Sequence, residues 1–139
     1  MADKGATTVA DLLQQGAAWL EGMRHAHAAR PVIYYRAGLS VELLATVGRS
    51  VFEVVAADGV VEQVERRDYL LRAEDLVLGG ERTEPQAGDL IKEPVNGQHE
   101  LYEVMGAGRE KHFRKSDPDG RTLRVHTAHV GTVPIPIPV

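Results

Sequence analysis

Gly88-Asp89-Leu90-Ile91, Leu101-Tyr102-Glu103-Val104, Ser116-Asp117-Pro118-Asp119-Gly120 and Leu123-Arg124-Val125-His126-Thr127 decide how this chain of 139 residues is read. Three short apolar runs are separated by strong turn signals. Asn96-Gly97 and Asp119-Gly120 are turn signals, and Ser116-Asp117-Pro118 initiates a turn because Ser and Asp side chains bond to nearby backbone. Strands are predicted near residues 89–92, 100–105, 112–115 and 122–129.

The same period of two extends upstream to Pro31. Val32-Ile33-Tyr34-Tyr35 is rich in strand formers, Val41, Leu43, Ala45 and Val47 alternate, and Val51-Phe52-Glu53-Val54-Val55 follows. Asp58-Gly59 between two apolar runs predicts a tight type I′ hairpin turn. The next strand, over residues 60–71, is expected to break near Arg66-Arg67-Asp68. Residues 74–78 fit either a helical turn or a short strand. Residues 79–88 read as a polar connection. The expected fold is mainly β: a small barrel or sandwich of about seven short strands.

Before Pro31 the period is helical. Val9, Leu12, Leu13, Leu20 and Met23 form one stripe over residues 8–29, with Thr8 placed to cap and Asp11 three residues on. Gly16 and Gly22 each weaken that helix by roughly 1 kcal/mol, so it needs a partner surface. Pro31 ends it, because the residue before proline is pushed toward extended geometry. After the strands, Pro134-Ile135-Pro136-Ile137-Pro138-Val139 loses every second amide donor and is expected to be extended and polyproline-like, an apolar arm for a neighbour. The division predicted is a helical extension over 1–30, a β domain over 31–131 and an arm over 132–139.

Composition excludes several classes. There are no cysteines, which removes disulfides, thiolate metal sites and cysteine nucleophiles. The net charge of −4 is wrong for a general nucleic-acid coating protein. Residues 1–6 lack an apolar core, and no window approaches the roughly 20 apolar residues of a membrane span, so a soluble cytoplasmic product is expected. Among the six histidines, His25 and His27 are two apart, and His126 and His129 are three apart on a strand. Neither spacing converges on a metal as an i, i+4 helical pair does. His99 and His112 have no partner at useful spacing, and a site would need Glu100 or Glu110. Gly79-Gly80 and Gly106-Ala107-Gly108 lack the order of a phosphate loop, and Ser40, Ser50 and Ser116 lack the setting of a nucleophile. No catalytic residue, cofactor or metal is predicted.

Charge is uneven. Residues 58–90 hold nine acids against four arginines, while residues 109–130 hold six bases against three acids. Such patches suit head-to-tail packing of identical subunits. The expected contact residues are Leu12, Leu13 and Leu20 of the helix, Arg109, Lys111, Arg114, Lys115 and Arg124 of the basic strip, and Ile135, Ile137 and Val139 of the arm.

From Arg67 onward the chain resembles the head–tail joining (head-completion, or stopper) proteins of tailed bacteriophages and prophages. The matching segments are Arg67-Asp68-Tyr69-Leu70, Asp75-Leu76, Pro85 with Gly88-Asp89-Leu90-Ile91, Tyr102-Glu103-Val104, Ser116-Asp117-Pro118, Leu123-Arg124-Val125-His126-Thr127 and Gly131. The resemblance implies a small barrel with projecting loops and a terminal extension, and no catalysis. It implies a ring, hexameric or dodecameric, on the portal or connector of the virion neck. That ring surrounds the DNA channel, with passing contact to packaged DNA and tail proteins docked below. Adaptor, stopper and tail-terminator positions stay open, because the N-terminal helix and the Pro-Ile-Pro arm are not core to the family pattern. Two other classes stay open: a small ligand- or nucleic-acid-binding β module, weakened by an aromatic content of 5%, and a metal-dependent enzyme built on His and carboxylates.

Overall fold

A computed structural model describes residues 8–10, 15 and 29–134. The predicted helix falls almost wholly outside the described residues, as do its Leu12, Leu13 and Leu20 and the arm residues Ile135, Ile137 and Val139.

Among the described residues nine strands follow one another: β1 (Arg30–Arg36), β2 (Leu39–Val55), β3 (Val61–Arg72), β4 (Val77–Leu78), β5 (Glu81–Arg82), β6 (Leu90–Val95), β7 (Gln98–Val104), β8 (Phe113–Lys115) and β9 (Thr122–Pro134). The mainly β prediction holds, but the architecture differs from a barrel or sandwich. One antiparallel sheet of seven strands runs β3-β2-β1-β6-β7-β9-β8, and β4-β5 is a separate hairpin. An added β3–β9 pairing, from Arg67↔Thr127 to Arg72↔Thr122, brings the sheet's first strand back to β9 and rolls it up.

The physical reason is the length of two strands. β2 has 17 residues, and its first part pairs with β1 while its second part pairs with β3, Ala45 facing both Arg30 and Leu71. β9 has 13 residues and pairs with β3 through its first half and with β7 through its second. Long shared strands hold the rolled sheet together as one piece instead of dividing it into two layers.

Turn chemistry sets the register. The two-residue loops Ala37-Gly38 and Asn96-Gly97 have positive φ at both positions, the geometry of a type I′ turn. Asp58-Gly59 is not such a loop. Only Gly59 has positive φ, at 84°, and its N–H donates to the Ala56 carbonyl, so it closes a wider turn over residues 56–59. β3 runs unbroken through Arg66-Arg67-Asp68, because Asp68 is satisfied by side chains and does not disturb the ladder. Residues 73–78 are both predicted things in turn: a 3-10 turn (Ala73–Asp75), then β4.

Alternation places Val32, Tyr34, Leu43, Ala45, Tyr69, Leu71, Ile91, Val104, Leu123 and Val125 in one core, joined by Leu76 and Leu78. Burying each large side chain stabilises the fold by roughly 1.5–3 kcal/mol. Strand β9 ends at Pro134, opposite Gln98, so residues 132–134 belong to the sheet and not to a separate arm. The pairings Arg30↔Ala45, Val95↔Gln98 and Gln98↔Pro134 put the entry and exit of the sheet at one pole. Three interstrand spacings separate them, about 14 Å.

Candidate interaction surface

Three carboxylates are buried in this small sheet, Asp68, Asp89 and Glu93, and each is tied to arginine. Asp89 precedes β6 and accepts from Arg36 Nε at 2.9 Å and Nη2 at 2.8 Å, from the Gln86 backbone N–H at 2.9 Å and from the Tyr34 hydroxyl. Arg36 then reaches Thr83 Oγ1 and the Glu84 carbonyl, which pins the connection ahead of β6. Glu93 points inward at the other pole. It accepts from Arg67 Nη2 at 2.9 Å, from the Tyr69 hydroxyl at 2.8 Å and from Arg30 Nη1 at 3.2 Å. The Arg67 guanidinium also lies 5.1 Å from the Tyr102 ring centroid.

Asp68 faces the opposite side of β3. Ser50 donates to it, Arg124 Nη1 donates at 2.6 Å, and His126 Nδ1 stands 2.7 Å from Oδ1. Phe52 closes over the His126 ring edge-on at 5.0 Å. Gly48 sits beneath Arg124: a Cβ there would lie 3.2 Å from Nη1, which Asp68 holds in place. Burial pushes all three carboxyls up, but the bonds from His126 to Asp68, Arg36 to Asp89 and Arg67 to Glu93, with their neighbours, outweigh it and hold each below the usual carboxylate range. Burial, followed by the bonded carboxylate, raises the Tyr34 hydroxyl, and burial raises that of Tyr69, so both stay protonated donors.

These groups are engaged with one another and hold the fold. His126 and His129 lie apart: His129 Nε2 meets Glu100 at 2.6 Å on the surface, beside Thr132 Oγ1 at 2.7 Å. His112 Nε2 meets the Pro85 carbonyl at 2.8 Å. Among the described residues, no three His, Asp or Glu side chains stand where they could hold one metal ion, and no helix is long and apolar enough to cross a membrane. Asp117, in the Ser-Asp-Pro turn, accepts from the Arg121 and Thr122 backbone N–H groups, which launches β9.

The predicted basic strip is partly spent on the fold. Arg109, Lys111, Arg114 and Lys115 are exposed, but Arg124 belongs to the Asp68 ion pair. Asp68 and Asp89, counted in the acidic stretch, are buried. The sequence reading missed these pairs; the signal was an acid standing inside or just ahead of a β run, as in Arg67-Asp68-Tyr69-Leu70 and Gly88-Asp89-Leu90-Ile91.

Two exposed features stand out among the described residues. The outer parts of β2 and β3 extend beyond β9 as a hairpin arm, paired from Ser50↔Arg66 to Val55↔Val61. Its tip exposes Val55, Val60 and Val61 by 67%, 52% and 58%. At the opposite pole an open pocket of about 890 Å³ lies between residues 82–87 and β8. Its lining includes the apolar Pro85, Ala87, Phe113 and Leu123 and the charged Arg82, Lys115, Glu84 and Asp119.

A small antiparallel β protein whose polar centres are structural, and whose exposed features are a projecting arm and a pocket, is built to make contacts. The chain belongs to a family of phage head-tail joining proteins, whose pattern matches residues 10–134. It is thus a structural component of the junction between a phage's head and its tail. No curated protein matches the chain individually.

Proposed function

We propose that this protein is a ring-forming subunit of the virion neck that encircles the DNA channel, with the portal or adaptor on one side and tail proteins on the other. The observation that carries this reading is the placement of unmatched apolar surface: three exposed valines at the tip of a projecting β hairpin, on a chain of the head-tail joining family. A monomer gains nothing from valines held in water, whereas a subunit buries them against a neighbour. In the same reading Leu12, Leu13 and Leu20 and the C-terminal Ile135, Ile137 and Val139 are further contacts, and Arg109, Lys111, Arg114 and Lys115 face acidic partners or pass near DNA phosphates. Assembly takes place in the host cytoplasm, and no catalysis or cofactor is involved.

Two measurements test this. Particles assembled without the protein should accumulate as separate DNA-filled heads and free tails; complete virions in normal yield would overturn the joining role. Native mass spectrometry of the full chain with its portal should show several copies added per portal ring; a single copy per particle would overturn the ring.

A further inference from the structure

We propose that the arm of one copy docks its tip into the pocket beside β8 of the next copy. This rests on the ring reading and names the surfaces that join its subunits. From Leu71 to Val61 strand β3 covers about 33 Å at the usual rise per residue. Leu71 pairs with Leu123, and Leu123 lines the pocket. The arm ladder is continuous between these points, so tip and pocket lie at opposite poles of one chain and cannot meet within it. They can meet only between copies, in a contact that uses different patches on its two sides. Such a contact either closes a ring or runs on as a filament.

The two patches fit chemically. The tip is apolar and acidic: Val55, Val60 and Val61 are exposed beside Asp58 and Glu62. The pocket has apolar walls of Pro85, Ala87, Phe113 and Leu123, and its volume accepts several side chains together. Among its charged lining residues Glu84 and Asp119 offset Arg82 and Lys115. Lys115 is exposed on β8 within the pocket lining and is the cation that meets Glu62 of the incoming tip. β8 is the last strand of the sheet and, among the described residues, pairs only with β9, which leaves its outer backbone edge for an incoming strand.

The absence of cysteine makes the test clean. Val60→Cys and Ala87→Cys are made separately and together in the full chain and oxidised mildly at high protein concentration. The double variant should give a ladder of covalent multimers, and a mixture of the two single variants one covalent dimer. Glu62→Lys and Lys115→Glu should each lower the fraction of oligomer in native mass spectra at least tenfold, and the two combined should restore it, with unchanged circular dichroism in all four proteins. Oligomers that form without the ladder would overturn this docking and leave the ring intact. A protein that stays monomeric and gives no ladder at any concentration would also overturn it, while the joining role is judged separately by particle assembly. A covalent dimer from Val60→Cys alone would mean tip-to-tip contact and would overturn it as well.

Discussion

Single residues decide where this sheet tolerates change. Gly106 has no room for a side chain: an added Cβ would lie 2.0 Å from the Glu110 carbonyl oxygen, in a loop closed by the Glu110 N–H bond to Ala107. Gly106→Ala should therefore lower stability by about 1–3 kcal/mol, read as a lower urea midpoint with unchanged slope. Asp89→Ala should cost about 3–5 kcal/mol, because it strands the Arg36 guanidinium and the Tyr34 hydroxyl at once. Thermal unfolding of Asp89→Ala beside a surface control, Glu81→Ala, checks this; equal midpoints would show that the carboxylate carries no load. The motif Gly88-Asp89-Leu90-Ile91 was legible as a strand opening, since Leu90 starts β6. The burial of Asp89 was not, because its arginine partner lies far away in sequence and only the β1–β6 pairing brings the two together.

At the scale of elements, most strands could be read from alternation and turn residues. What could not be read was their length. β2 and β9 change partners midway, and local periodicity contains nothing that marks where one partner hands over to another. Hence the seven-stranded sheet was mistaken for a barrel or sandwich, and the tail was started before Pro134, inside β9. The hairpin at Asp58-Gly59 was placed correctly but given the wrong turn, since Asp-Gly also suits a wider loop that needs only one positive φ. Among the described residues the arm built by this hairpin pairs only within itself beyond β9, although a Cβ added at Gly108 would lie 3.2 Å from Val54 and Arg66 Nε donates to the Gly106 carbonyl at 3.0 Å. Replacing residues 53–63 with a short turn should leave the core transition within about 1 kcal/mol of the parent. The same variant should fail to add to portal rings, as measured by pelleting; equal pelleting would remove the arm from assembly.

At the scale of the whole molecule, the three acids buried among the described residues give the fold an acid-side pH response. Asp68, Asp89 and Glu93 are held below their unfolded values, near 4 for ordinary carboxyls. Their contribution is thus complete above that value and is lost as pH falls through the lower folded values. Urea midpoints should be level between about pH 7 and 5 and drop below about 4; level midpoints down to pH 2 would contradict this. The chain also enters and leaves its sheet at one pole, at Arg30 and Pro134. Circular permutation exploits such a layout: a short linker joining these positions, with new termini opened between Gly79 and Gly80 in the β4–β5 turn, preserves every strand pairing. The order of elements along the gene is then incidental to the tertiary structure, and segments joined at Arg30 and Pro134 leave the sheet from the same pole.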